Sequence, residues 1–407
     1  MAENKSSENK SLSKKLFLSG DEAFAYGIRL AHPDVISAYP ITPQTVVVEK
    51  LSDFVEDGSL KSDFIHVESE HSALSCAIGV SAAGSRAFTA TSSQGLLYMA
   101  ECLVYASGGR FPIVMMNANR STALPWNIYG DQRDSLALLD SGWIQAYAKD
   151  AQESLDLALI SYYVAEHKSV QTPFMVNLDG FVLTHTYELV EVPDEKSAED
   201  FLPAFETDNR IDFNQPKNLA FSAGPDTNTF FKYKEHRAFS NVREAVREAE
   251  ERFEKIFGRH YTGLVEKYKC DDADFVLVTL GSIAGLVEQI VDELREDGKK
   301  AGLLRLRYMR PFPDSEIVDA LKNVKSAAVL EKDISFGAEG TVFTNVNSSL
   351  KKSGLDFPCV NYIGGLGGRD ISADEIKKIF SDLEDLSKGR KKSAVHFFGI
   401  PEEAQNA

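Results

Sequence analysis

The sequence predicts an α/β protein, with a doubly wound, largely parallel sheet followed by a second, smaller α/β domain. Three observations carry this. From residue 16 to about 180, short apolar runs alternate with longer helical runs, and repeated strand–helix units imply a parallel sheet covered on both faces. Between about 185 and 270 the rhythm breaks into Pro, Asp, Asn and aromatic residues. From Phe275 a second strand–helix series begins.

Residues 1–15 (MAENKSSENKSLSKK) hold almost nothing apolar and read as a disordered arm. The first domain is expected over 16–190. Helix 21–32 leads to strand 34–39, and helix 43–56 to strand 63–68. The run 70–84 (EHSALSCAIGVSAAG) has short side chains and predicts a helix suited to close packing. Strand 86–92, helix 94–107 and the apolar strand 111–117 (FPIVMMN) follow, then strand 143–148, helix 151–166 and strand 173–179. Residues 191–270 read as a connector with a charged helix from Asn241 to Phe257. The second domain is expected over 271–395, with strands at 275–280, 302–308, 326–331 and 357–362. Its helices fall near 283–296, 313–322, 337–352 and 372–384, and residues 396–407 form a tail.

The 407 residues carry a formal net charge of −17, which argues against a nucleic-acid surface and would repel acidic membranes. The four cysteines, Cys76, Cys102, Cys270 and Cys359, stand far apart with no CxxC pair. This gives no zinc or iron–sulfur motif within the chain. No run approaches the ~20 apolar residues of a membrane span, and the polar first fifteen residues give no signal peptide. The expected location is the cytoplasm.

The most informative local feature is Ala38-Tyr39-Pro40-Ile41-Thr42-Pro43-Gln44-Thr45, followed by Glu70 in Val67-Glu68-Ser69-Glu70-His71. In open α/β sheets, ligands sit at the C-terminal ends of strands. Two successive strands therefore aim a hydroxyl and a carboxylate at one ligand site. Each has a structural alternative. Thr42 would cap the next helix, and Glu70 would satisfy a helix dipole. The small apolar residues after Glu70 would nevertheless desolvate its carboxyl, favour the protonated form and let it donate to a ring nitrogen. His66, Glu68, Glu70 and His71 resemble metal ligands only superficially, because they do not share one face; no metal is expected.

Arg120 follows strand 111–117 and opens the loop Ser121-Thr122-Ala123-Leu124-Pro125-Trp126-Asn127, which runs on to Gly130-Asp131-Gln132-Arg133-Asp134. A guanidinium there suits a bidentate grip on a carboxylate, or a structural pair with Asp131 or Asp134. Thr91-Ser92-Ser93-Gln94-Gly95 would cap a helix or line the same site. The run Gly364-Gly365-Leu366-Gly367-Gly368-Arg369-Asp370 could cradle an anion, but it does not fit G-x-G-x-x-G and reads more simply as a tight strand–helix turn. There is no G-x-S-x-G elbow and no Walker A loop.

Tyr39-Pro-Ile-Thr-Pro, Val67-Glu-Ser-Glu-His-Ser-Ala, Phe88-Thr-Ala-Thr-Ser-Ser-Gln-Gly-Leu and Asn119-Arg120 resemble the alpha subunit of 2-oxoacid:ferredoxin oxidoreductases, most closely the pyruvate (pyruvate synthase) type. Tyr308-Met-Arg-Pro-Phe-Pro, Glu331-Lys-Asp-Ile-Ser and Gly364-Gly-Leu-Gly-Gly-Arg-Asp extend the resemblance over the second half. It implies a thiamine pyrimidine-binding domain followed by a transketolase C-terminal-like domain. Glu70 matches the carboxylate that contacts N1′ of the aminopyrimidine, with Tyr39, Ser93 and Gln94 bordering the cofactor. Thr42 matches the threonine at the reacting centre, and Arg120 the arginine that holds the substrate carboxylate.

The chain lacks Gly-Asp-Gly followed by Asn-Asn. The resemblance therefore assigns the thiamine diphosphate and Mg²⁺ motif, and a [4Fe–4S] cluster, to a beta subunit. Gamma and ferredoxin-like delta subunits complete the enzyme. The implied reaction is 2-oxoacid, CoA and oxidised ferredoxin to acyl-CoA, CO₂ and reduced ferredoxin. Pyruvate-type alpha subunits often read Asn-Ile-Trp-Asn-Asp-Trp-Gln-Asp or a Gly-Asp-His-Gln-Asp variant, whereas this chain has Trp126, Tyr129 and an added cation, Arg133. These three would shape the pocket for the substrate side chain. They raise phenylglyoxylate and 2-oxoisovalerate beside pyruvate, with 2-oxoglutarate and oxalate as further candidates and NAD as an alternative final acceptor. The competing reading is a non-catalytic scaffold subunit of an electron-transfer complex.

Overall fold

The computed structural model describes residues 13–390, 395–401 and 405. Its first sheet has seven strands, in the order Tyr308–Arg310, Ile144–Tyr147, Phe174–Asp179, Val114–Asn119, Ala87–Thr91, Val35–Ala38 and Asp63–His66. All neighbours run parallel except Tyr308–Arg310, which is antiparallel to Ile144–Tyr147. The central strands Ala87–Thr91, Val114–Asn119 and Phe174–Asp179 are buried along their whole length. Both faces are therefore covered, which is why these strands read as continuous apolar runs rather than alternations.

The second sheet has six strands, in the order Val395–Phe397, Cys359–Ile363, Ser326–Glu331, Phe275–Leu280, Ala301–Leu306 and Val265–Tyr268. Val265–Tyr268, expected in the connector, closes this sheet antiparallel to Ala301–Leu306. Val395–Phe397 carries the sheet one strand into the expected tail.

Four boundaries differ from expectation. Residues 1–12 of the expected arm lie outside the described residues, but Lys14 and Lys15 open a strand, Lys14–Ser19, antiparallel to Tyr187–Val192. Leu18 is buried there and Phe17 stacks on Tyr187 at 5.6 Å, so the pairing rests on two apolar side chains beyond the lysines. Helix 94–107 is two helices, Ser93–Tyr98 and Ala100–Gly108, meeting at Met99. The run 302–308 is likewise two strands, and its second part leaves for the first sheet. The charged helix is Pro225–Phe257, 33 residues long, with Pro at its start and Gly258 at φ 72° ending it. Only its second half shows an apolar stripe (Val242, Val246, Ala249, Phe253), and that half packs on the buried helix Ala151–Glu166.

The two sheets are joined by buried charge. Glu153 of helix Ala151–Glu166 accepts from Arg305 Nη1 at 2.7 Å and from Arg307 Nε at 2.8 Å. Arg307 also pairs with Glu250 of the long helix. Although burial alone would raise the Glu153 pKa, the two guanidiniums hold its carboxyl well below the usual range. A second tie is Asp179, at the end of strand Phe174–Asp179. It accepts from Ser282 N at 2.7 Å and from Gln132 Nε2 at 2.9 Å, with Lys332 Nζ at 3.3 Å.

Candidate active site

The strands Val35–Ala38, Ala87–Thr91 and Val114–Asn119 are neighbours, and each ends in one of the loops singled out by sequence. In the first loop, Gln44 rather than Thr42 precedes the helix Thr45–Glu56, and it makes no side-chain cap. Its amide instead donates to the carbonyls of Tyr39 at 3.0 Å and Ala90 at 3.2 Å, tying this loop to the next strand. Thr42 is exposed and Tyr39 half-exposed, while Pro43 and Gln44 are buried. The capping role for Thr42 is thus not realised, and among the described residues its hydroxyl makes no hydrogen bond.

Glu70 begins the helix Glu70–Ala82, whose cap is Ser69, accepting from Ser72 N at 3.2 Å. The Glu70 side chain is 8% exposed and has no hydrogen-bond partner among the described residues. A Cβ at Gly95 would lie 2.7 Å from Glu70 Oε1 and 2.7 Å from Thr91 Oγ1. The buried Thr91 hydroxyl is likewise without a partner. A carboxylate, an orphaned hydroxyl and a glycine thus meet at one spot at the strand ends. Buried polar atoms are normally paired, which makes the Thr91 hydroxyl and the unpaired Glu70 carboxyl the polar groups left over at these strand ends. The metal-like neighbours diverge: Glu68 accepts from Ser72 Oγ at 2.7 Å, while His71 lies 3.3 Å from Glu101 and 3.4 Å from Cys102 Sγ.

Arg120 is 4% exposed. Its Nη1 donates to Thr42 O at 2.9 Å and its Nε to Asn127 O at 3.3 Å, with Trp126 stacked 5.2 Å from the guanidinium carbon. Burial lowers its pKa. Neither structural pair foreseen for it forms. Asp131 pairs with Arg133 instead, Oδ2 to Nη2 at 2.8 Å, so the added cation of this loop is neutralised within it. Asp134 takes the Arg120 backbone N–H at 3.1 Å, not its side chain. A nearly buried guanidinium whose described partners are only carbonyls calls for an anion from outside.

Ser93 is buried at φ 52°, with Oγ 2.7 Å from Ser121 O and 2.6 Å from Gln94 Oε1, so it bridges the second and third loops. Ser92, one residue earlier, ends the strand by donating to Ala118 O at 2.7 Å. Tyr129 packs at a tilt against Phe181, ring centroids 5.0 Å apart, and Asn127 Nδ2 donates to Gly367 O at 2.9 Å. Gly367 N in turn donates to Asp131 Oδ2 at 3.0 Å. The glycine-rich run therefore seats the loop after Arg120 and uses a backbone N–H on a protein carboxylate.

A family model described as pyruvate flavodoxin/ferredoxin oxidoreductase, thiamine diP-binding, matches residues 26–251. The chain belongs to this family. In the same oxidoreductases a second model, pyruvate:ferredoxin oxidoreductase core domain II, matches residues 273–376. The chain is 44% identical to pyruvate synthase subunit PorA of Methanothermobacter thermautotrophicus, over 95% of this chain and 99% of that one. It is 41% identical to ketoisovalerate oxidoreductase subunit VorA of Pyrococcus abyssi, over 93% and 95%. Among solved structures, 2-oxoglutarate:ferredoxin oxidoreductase from Magnetococcus marinus matches with TM-score 0.71 at 18% identity, over 92% of this chain and 65% of that one. A split-gene transketolase matches with TM-score 0.52 at 12% identity, over 91% and 99%. These two show the fold: parallel α/β domains shared with oxidoreductase and transketolase-like proteins.

Gln44 and Asp134 were not singled out from sequence, whereas Thr91 and Gly95 belong to the run expected to cap a helix or line the same site. Asp134 is fully buried, and burial pushes its carboxyl up to about 6 while hydrogen bonds from Asn119, Arg120 and Ser135 pull the other way. The one sequence signal was a cluster of amides and acids, Asn117 and Asn119 on one strand and Asn177 and Asp179 on its neighbour. The register pairs Asn117 with Asn177 and Asn119 with Asp179. Such groups inside apolar strands need partners, and Asp134 supplies one to both Asn117 and Asn119.

Proposed function

We propose that this chain is the alpha subunit of a thiamine-dependent 2-oxoacid oxidoreductase that converts pyruvate and CoA to acetyl-CoA and CO₂, passing two electrons to ferredoxin. The observation that carries the reading is Arg120, nearly buried, bound to the Thr42 carbonyl and without a carboxylate partner among the described residues. A 2-oxoacid carboxylate supplies that partner. Thr42, exposed beside it, then faces the oxo group.

The residues at Gly95 fit the aminopyrimidine half of thiamine diphosphate. Glu70, slightly exposed, would exchange a hydrogen bond with a ring nitrogen, and Gly95 lets the helix after Thr91 pack directly against the Glu70 side chain and hold it in place. Tyr39 and Gln94 border the same strand ends. When bound, the cofactor supplies the electron sink for decarboxylation. This chain binds the carboxylate, orients the oxo group and presents the Glu70 carboxyl to the ring. A beta subunit would bring Mg²⁺, the diphosphate site and a [4Fe–4S] cluster, and gamma and ferredoxin-like delta subunits would carry electrons onward. Among the described residues no helix is long and apolar enough to cross a membrane.

A second reading, 2-oxoisovalerate as substrate, is favoured by the near-equal identity to the ketoisovalerate relative. The native complex, assayed for acyl-CoA and CO₂ from each 2-oxoacid, separates the two. Arg120→Ala is expected to raise KM for every accepted 2-oxoacid about 10- to 100-fold, from the ~1.5–3 kcal/mol of charged hydrogen bonds. An unchanged KM for all of them would remove the assignment. A native complex holding neither thiamine diphosphate nor iron would favour a scaffold role.

A further inference from the structure

Asp134 lies outside the roles assigned above, yet it is the point at which three elements of the site meet. Its Oδ1 accepts from Asn119 Nδ2 at 2.8 Å and from Ser135 N at 2.7 Å. Its Oδ2 accepts from Ser93 N at 3.1 Å, Arg120 N at 3.1 Å and Asn117 Nδ2 at 3.3 Å. Ser93 opens the helix on the cofactor side and Arg120 opens the loop on the substrate side. Ser93 sits at φ 52°, a left-handed conformation that non-glycine residues adopt only when held. Asp134 is fully buried.

Three of the five donors are backbone N–H groups, which cannot be turned round. They are divided between the two oxygens, Ser135 on one and Ser93 and Arg120 on the other. An asparagine would put an N–H₂ donor against at least one of them whichever way it faced. Only a two-oxygen acceptor satisfies the set. Arg120 has no carboxylate partner of its own among the described residues; its guanidinium is held at the tip by the Thr42 and Asn127 carbonyls and at its root by the backbone N–H that Asp134 fixes, so its aim depends on both.

We propose that Asp134 is a positioning residue: it locks the Ser93 turn and the Arg120 backbone to one another, and so sets how the 2-oxoacid carboxylate faces the cofactor side of the site. This rests on the functional reading above. It predicts an effect transmitted through Arg120, because displacing a bound substrate by about 1 Å can cost up to about 100-fold in rate.

The test uses the purified multi-subunit complex. Asp134→Asn is expected to raise KM for the 2-oxoacid and lower kcat/KM by about 10- to 100-fold, with thiamine diphosphate content and subunit composition unchanged. On an Arg120→Ala background the same change is expected to cost less than about 3-fold, because residues in one network are not additive. Wild-type kinetics in an assembled Asp134→Asn complex would overturn the proposal, and so would a full additive loss in the double variant. If Asp134→Asn does not assemble, Asn119→Ala gives the reading. It removes one support of the carboxylate and keeps the backbone donors; a KM rise of about 3- to 10-fold, absent on the Arg120→Ala background, supports the proposal, and an unchanged KM overturns it. Absence of 2-oxoacid turnover in the wild-type complex overturns the functional reading itself, a different result from an active complex indifferent to Asp134.

Discussion

At the scale of single residues, Gly95 sets how closely the helix Ser93–Tyr98 packs on Glu70. Its missing side chain leaves Glu70 Oε1 and Thr91 Oγ1 side by side, each within 2.7 Å of where a Cβ would stand. Gly95→Ala is therefore expected to push the Glu70 carboxylate out of place or close the space it faces. The helix Ser93–Tyr98 should tolerate an alanine, so the complex should assemble and lose bound thiamine diphosphate. Cofactor content after gel filtration measures this, and wild-type occupancy would show that the pocket lies elsewhere. Glu70, Thr42 and Arg120 could be singled out from sequence as candidates because each follows a strand of the parallel sheet, where such sheets present their ligands. Thr91 and Gly95 were legible as parts of a run that caps a helix or lines the site, but nothing local says that a carboxylate 21 or more positions away packs against them.

At the scale of elements, the loop from Ser121 to Gln132 owes its shape to a glycine run more than two hundred residues later. Gly367 receives Asn127 and gives its N–H to Asp131. Gly368, at φ 79°, lies where a Cβ would be 2.4 Å from the Tyr129 Cβ. Gly368→Ala must therefore strain the turn and push Tyr129, destabilising by more than the ~1 kcal/mol of a compatible exchange. The expected readouts are a lower Tm and a changed ratio of kcat/KM for pyruvate against 2-oxoisovalerate. An unchanged ratio would mean that Tyr129 does not shape the side-chain pocket. The sequence favoured a tight turn over an anion cradle; the structure shows a turn whose Gly367 N–H meets the Asp131 carboxylate of the distant loop. The long helix shows the same limit. Its first half, Pro225 to Arg237, is mostly exposed and shows no apolar stripe to read, so only the packed half from Asn241 was visible in the sequence.

At the scale of the whole molecule, the two sheets are held by buried ions as well as by apolar packing. Removing one partner of a buried pair leaves the others uncompensated and costs about 3–5 kcal/mol. Glu153→Gln is expected to destabilise the chain by that order, since Arg305 and Arg307 both lean on it. The pH dependence has a definite sign. The folded Glu153 pKa is depressed below its unfolded value near 4.5, so its contribution is fully present above that value and is lost as pH falls below it. Wild-type chain should therefore lose stability below about pH 4.5 more steeply than Glu153→Gln. Parallel denaturant titrations at pH 7 and pH 4 would show the difference, and equal losses would rule out the role.

The sequence by itself determined the two series of parallel strands and the loops that end them, because apolar run length and strand-end polar residues are local quantities. It also determined the family, through several motifs in order. Tertiary structure alone decided that Tyr308–Arg310 crosses to the first sheet, that Arg133 is neutralised by Asp131 while Arg120 has no carboxylate partner among the described residues, and that Asp134 ties the Ser93 turn to the Arg120 backbone. The physical reason is common to all three. Each depends on which groups satisfy which donors across elements distant in sequence, and hydrogen-bond accounting of that kind closes only once the chain is folded.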